Sequence, residues 1–205
     1  MVRTGDSIRA AVEALAEREA AFAKVVERHG IPEPRRSDPG AHTLLRTIVG
    51  QQVSVAAARS MWAKLEAAYG APPELAAILE ASDEELRAAG ISRQKAGYAR
   101  SLAELVLSGE LDRLLILLRQ RMQVELLTRI KGIGRWSAEI YLLFAEGRPD
   151  IWPAGDLAVQ AGIGKILALP ERPSEKETRA LADPWSPHRG AAAILTWHCY
   201  NNAAL

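Results

Sequence analysis

Two stretches of this chain bring together residue types that do chemistry. In Ile130-Lys131-Gly132-Ile133-Gly134-Arg135-Trp136, two glycines separate helix-prone segments at 123–129 and 137–146. Glycine permits left-handed or crowded backbone, so this spacing predicts a helix, a tight turn and a second helix. The glycines leave the turn's amide N–H groups uncovered where the new helix starts. Those amides and the helix dipole behind them favour an anion such as a backbone phosphate. Lys131 and Arg135 add cationic side chains beside them. The second stretch, Trp152-Pro153-Ala154-Gly155-Asp156-Leu157, delivers a carboxylate to an expected helix start. Asp156 there can cap the helix, and capping would fix the direction of its side chain. A Gly-x-Gly turn alone occurs in unrelated loops, so the weight rests on the combination.

The elements that must position these groups read as helices throughout. Ser7 to His29 has the spacing of one long amphipathic helix, with Ile8, Val12, Leu15 and Phe22 on its apolar side. A polar loop over 32–37 precedes Asp38-Pro39, which signals the start of a helix through Val49. Gly50-Gln51-Gln52-Val53 reads as a turn, and Ser54 caps a helix to Tyr69. A short helix begins near Glu74, Ser82 opens a capping box, and Ser92 to Leu107 is helical, with Tyr98, Leu102, Leu105 and Val106 inward. A short apolar piece, 111–118, leads into the hairpin. After Asp156 come a helix to about Leu169, another over 175–182 and a last one from Pro187 to about Tyr200. Gly162-Ile163-Gly164-Lys165 imitates a second hairpin turn but falls inside the helix after Asp156.

Composition narrows the class. Alanine and leucine dominate, β-branched residues are sparse, and the expected fold is all-α. One cysteine excludes an internal disulfide and any cysteine-built zinc or iron–sulfur centre, so no Fe-S cluster and no required cofactor are expected. The net charge of +1 means that any grip on nucleic acid must be local. No apolar run spans a membrane and the N-terminus lacks a signal-peptide core, which predicts a cytoplasmic protein, nucleoid-associated in a prokaryote.

Together, residues 127–157 resemble the helix-hairpin-helix (HhH-GPD) DNA glycosylase superfamily, and Gly132-Ile133-Gly134-Arg135-Trp136 with Pro153-Ala154-Gly155-Asp156-Leu157 resembles its 3-methyladenine DNA glycosylase II (AlkA-like) branch. Two further segments carry the resemblance. Ile48 to Ser54 is similar to the family's turn that faces the minor groove, where a side chain fills the hole left by a flipped base; by position this is Gln52, with Gln51 beside it. Trp185-Ser186-Pro187-His188-Arg189 followed by Trp197 is similar to the C-terminal helix whose tryptophan lines the base pocket. His188 replaces an aromatic common there, and Ile140 stands where some relatives carry a pocket tyrosine.

The resemblance implies two interleaved helical subdomains, 1–38 with 166–205 and 39–165, with an active-site cleft between them. It also implies a minimal form without the N-terminal β domain of larger relatives. It implies a monovalent cation, Na+ or K+, on the backbone carbonyls of Thr128, Ile130 and Ile133. Cleaving an N-glycosidic bond builds positive charge on the sugar, which a carboxylate near C1′ stabilises while orienting water; Asp156 is the candidate. Alkylated purines such as 3-methyladenine and 7-methylguanine are cationic, and indoles attract them by about 0.5–2 kcal/mol each. Trp136, Trp197 and Ile140 are the pocket candidates. Bifunctional relatives carry a nucleophilic lysine at the position of Trp136, so the expected enzyme is a monofunctional hydrolase without abasic-site lyase activity. The expected partner is double-stranded DNA with alkylated bases, met by a monomer. The alternatives are a non-catalytic helix-hairpin-helix DNA-binding protein, which has no use for Asp156 or the indoles, and a glycosylase for other damaged bases.

Overall fold

A computed structural model describes residues 5–34, 37–111 and 120–202; most of the apolar piece expected at 111–118 lies outside them. Among the described residues the regular structure is helical with no strand, as composition predicted. Two compact units divide the chain: one from the stretches before Ser37 and after Tyr141, the other Ser37–Tyr141.

The Ser37–Tyr141 unit contains α3 (Ala41–Gly50), α4 (Val55–Tyr69), α5 (Leu75–Glu80), α6 (Asp83–Ala88), α7 (Arg93–Leu107), α8 (Gln120–Leu127) and most of α9 (Arg135–Phe144). Ser54, Ser82 and Ser92 each accept an amide hydrogen bond at their helix starts, and Ser82 with Glu85 completes the predicted capping box. The start of α3 differs from the sequence expectation. Gly40, not Asp38, is the N-cap, and Asp38 meets the helix only through its backbone carbonyl, which accepts the Thr43 hydroxyl at 2.6 Å. Leu44, Leu45, Ile48, Leu65, Ile78, Leu86 and Leu102 are fully buried and form this unit's core.

The other unit holds α1 (Gly5–Arg18), α2 (Ala20–His29), α10 (Leu157–Ile166), α11 (Glu175–Leu181), a 3-10 turn at Asp183–Trp185 and α12 (Arg189–Asn202). The single helix expected over 7–29 is two. Glu19 adopts an extended conformation and its carboxylate accepts the Ala21 amide, restarting the helix and allowing Leu15 and Phe22 both to be fully buried. The sequence expectation returned the chain to this unit at residue 166, whereas the structure returns it at Leu142. The reason is the contact of α10 with α12. A Cβ at Gly162 would lie 2.7 Å from the Thr196 methyl, so the glycine allows the helices to approach closely. Gly162 and Gly164 are buried within α10, and this is helix packing and not a second hairpin turn.

Candidate active site

Asp156 sits just before α10 with φ −76° and ψ 123°, and its Oδ1 accepts the Val159 amide at 2.9 Å. The predicted cap therefore forms. The same Oδ1 accepts Nε1–H of Trp197 at 3.1 Å, from α12. The carboxylate is held by a donor from each of two helices and remains partly exposed. The loop before it is fixed in turn. Trp152 is buried and donates through Nε1 to the Thr178 carbonyl at 2.8 Å. Gln160, also buried, reaches back from α10 to donate to the Ala154 carbonyl at 2.8 Å. Sequence gives little sign of this second bond. A glutamine inside an apolar helix is the only clue.

Trp197 is half-buried, and its ring lies 5.7 Å from that of Phe144 at a 30° tilt. Its edge serves Asp156, a role that pocket lining alone does not describe. Trp152 and Trp185, to which the sequence gives no part in the pocket, prove to be core. Trp185 packs edge-on against Phe22 at 5.0 Å and Trp152 at 5.3 Å. The start of α12 is anchored by an unanticipated pair: Arg189 donates to both Asp150 carboxylate oxygens, at 2.9 and 2.7 Å, and Ser186 adds a third bond. Burial pushes the Asp150 carboxyl up, but the Arg189 and Ser186 hydrogen bonds outweigh it and hold the group below the usual aspartate value.

In the Ser37–Tyr141 unit the hairpin forms as expected. α8 ends in a turn closed by Ile133 N–H to the Ile130 carbonyl at 3.0 Å, and α9 follows from Arg135. Gly132 has φ +84°, and a Cβ there would lie 2.1 Å from the Tyr98 ring. Gly134 has nothing within 4 Å of that position. Gly132 is thus required by the protein's own packing, and Gly134 presents open backbone. The Gly134 and Arg135 amides have no hydrogen-bond partner among the described residues, as the first amides of a helix commonly do not. Lys131 is exposed beside them, its own amide donating to the Ser101 hydroxyl at 3.2 Å. Arg135 is exposed but engaged: its Nε donates to Glu139, one turn on and buried, at 3.0 Å. That partner was legible from the four-residue spacing.

Gln51 and Gln52 separate in role. The Gln51 amide donates to the Gly132 carbonyl at 2.8 Å, tying its turn to the hairpin turn. Gln52 is exposed with φ +54° and is flanked by exposed Val53 and Val55. Lys95, buried on α7, donates to the Val49 carbonyl at 2.7 Å and so steadies the end of α3 just before that turn. Trp136 is 48% exposed, a large apolar surface left open, and Ile140 follows it by one turn, partly exposed. Thr128, Ile130 and Ile133 lie along the hairpin turn as expected, the two isoleucine side chains buried beneath it.

Comparison with known proteins gives this arrangement its family. Residues 45–187 match the model of the HhH-GPD superfamily base excision DNA repair proteins. DNA-3-methyladenine glycosylase 1 of Schizosaccharomyces pombe is 32% identical over 162 residues, covering 75% of this chain and 69% of that protein. DNA-3-methyladenine glycosylase 2 of Escherichia coli is 26% identical over 167 residues, 75% of this chain and 55% of that one. The crystal structure of a DNA-3-methyladenine glycosidase from Bacillus halodurans superposes with a TM-score of 0.84 at 30% identity, covering 95% of this chain and 90% of that one. The Schizosaccharomyces pombe 3-methyladenine DNA glycosylase in complex with abasic DNA gives 0.75 at 28% identity, covering 95% and 97%. The chain belongs to the HhH-GPD superfamily of base excision DNA repair proteins.

Proposed function

We propose that this protein is a monofunctional DNA glycosylase that flips alkylated purines, 3-methyladenine and 7-methylguanine, out of duplex DNA and hydrolyses their N-glycosidic bond to leave an abasic site. The observation that carries this reading is Asp156, whose Oδ1 is held by both the Val159 amide and the Trp197 indole N–H. A carboxylate so oriented can stabilise positive charge developing on the sugar and direct water to C1′. The alkylated base is a good leaving group and needs little acid assistance. Recognition falls to aromatic surface, from Trp136 and Trp197, with Ile140 shaping the pocket. The DNA-3-methyladenine glycosylase names of the relatives support this substrate class.

The hairpin takes the DNA backbone. The Gly132 and Gly134 turn offers amides to a phosphate, with Lys131 and Arg135 adjacent. Gln52 fills the space vacated by the flipped base, and Gln51 supports it through the Gly132 carbonyl. The carbonyls of Thr128, Ile130 and Ile133 are hard oxygen donors suited to a monovalent cation. Ile130 already accepts one hydrogen bond and keeps a second lone pair for an ion. When bound, Na+ or K+ would supply positive charge to a phosphate at the turn. No described helix is long and apolar enough to cross a membrane. We assign the protein to the cytoplasm, with the nucleoid in a prokaryote, as a monomer acting on DNA.

Trp136 stands where a lyase needs an amine, so no Schiff base forms and the strand stays intact. Incubation with methylated duplex DNA tests the reading. Free 3-methyladenine and 7-methylguanine should appear in solution, with no strand breaks before alkali and no protein–DNA adduct after borohydride. A borohydride adduct would overturn the lyase-free assignment, and failure to release either base would overturn the substrate assignment.

A further inference from the structure

A cavity of about 330 Å³ opens among α2, α10 and the end of α12. It is about 13 Å along α10 from Asp156, nine residues at helical rise. Lys24, Arg28 and Lys165 line it, and none of its ten lining residues is an aspartate or glutamate. The chain as a whole is nearly balanced, with 26 basic and 25 acidic residues, so this local excess of positive charge is not a reflection of bulk composition. Two other surface cavities are mixed: one sets Arg87 and Arg93 against Asp83 and Glu84, the other Arg172 against Glu171 and Glu177. Lys24, Arg28 and Lys165 make no ion pair with any carboxylate among the described residues. Helix-dipole complementation accounts for Arg28 and Lys165, each in the last turn of its helix. It does not account for Lys24, a turn earlier, or for the three cations sharing one cavity.

The rest of the lining is mostly small or apolar, with the His29 imidazole, the Cys199 thiol and the Tyr200 ring among it. Val25 and Ile166 contribute aliphatic surface, and the Tyr200 ring lies 5.7 Å from the Lys165 ammonium. Burial holds the Cys199 thiol above its usual value, and Arg28 and Lys165 oppose it without reversing it. The cavity volume is at the small end of ligand pockets, about 300–1,000 Å³.

We propose that this cavity is a nucleotide-binding site, in which Lys24, Arg28 and Lys165 hold a phosphate and Tyr200 receives an adjacent planar ring. A free mononucleotide and a nucleotide of a DNA strand share this chemistry. The proposal stands apart from the glycosylase reading, since its site contains neither Asp156 nor the hairpin.

Cys199 is the only cysteine in the chain and lies in the cavity, so its alkylation by neutral iodoacetamide reports occupancy. The probes are AMP, inorganic phosphate and a short single-stranded oligodeoxynucleotide, each at constant ionic strength, with calorimetry of AMP binding in parallel. AMP at ten times its Kd should slow alkylation about tenfold by mass action, and inorganic phosphate should protect more weakly. Protection by the oligonucleotide as well identifies a strand nucleotide as a ligand; protection by AMP alone identifies a free mononucleotide. Arg28→Glu and Lys165→Glu, on exposed helix surface, should abolish protection with circular dichroism unchanged, and Lys165→Arg should retain it. The proposal is overturned if neither AMP nor the oligonucleotide protects or binds by calorimetry at about 10 mM. It is equally overturned if chloride protects as well as AMP, or if the charge-reversed variants are still protected.

Discussion

Among single residues, the hydrogen bond between Trp197 and Asp156 does most to set the direction of the candidate catalytic carboxylate. Asp156 was legible in sequence because Pro153 and Gly155 announce a helix start and an aspartate at such a start is a cap. The second donor was not legible, since Trp197 is 41 residues away and nothing local marks the pairing. The two bonds differ in what they serve. The Val159 bond would form in any capped helix, whereas the indole N–H fixes the carboxylate from outside its own helix. Trp197→Phe keeps most of the ring and removes the donor. Its single-turnover rate of base release should fall about tenfold, equivalent to about 1.4 kcal/mol, with DNA affinity little changed. A rate equal to that of wild type would show that the indole donor is not needed to orient Asp156. The same limit of sequence reading applies to Trp152 and Trp185, whose packing on each other and, for Trp185, on Phe22 is a property of the folded core.

At the scale of elements, caps and turns were the legible part because their signals are local. Ser54, Ser82 and Ser92 cap where expected, and the hairpin turn falls at its glycines. What escaped were features set by long-range contact. The bend at Glu19 interrupts an unbroken apolar periodicity, and the return of the chain at Leu142 depends on helices meeting across Gly162. The hairpin glycines, alike in sequence, differ in their surroundings. Gly132→Ala forces a side chain into left-handed backbone and the Tyr98 ring, costing about 2–5 kcal/mol in urea unfolding. In the Tyr98→Ala background the added cost should shrink to the backbone share, about 1–2 kcal/mol. Gly134→Ala meets no neighbour and should change stability by less than about 0.5 kcal/mol while weakening DNA binding at the turn. Equal destabilisation by the two alanines would contradict the distinction drawn between them.

For the molecule as a whole, bulk charge said little, and the informative electrostatics are local: the Arg189–Asp150 pair, the hairpin and the single-sign cavity. Arg189–Asp150 links folding to pH. Because the folded-state value of Asp150 lies below its unfolded value, near 3.8, its stabilisation is full above that value and is lost as pH falls through the lowered one. Asp150→Asn should therefore lower the melting temperature clearly at neutral pH and much less in strong acid; the same decrement at both pH values would contradict the linkage. Fold and DNA grip alone do not distinguish a repair enzyme from a helix-hairpin-helix binder. Asp156 does, and the most direct measurement is base release from methylated duplex DNA by wild type and Asp156→Asn under single-turnover conditions. The variant should still bind the DNA but release 3-methyladenine at least about a hundredfold more slowly, the scale of losing one charge-stabilising group. Release at the wild-type rate by Asp156→Asn would contradict this expectation.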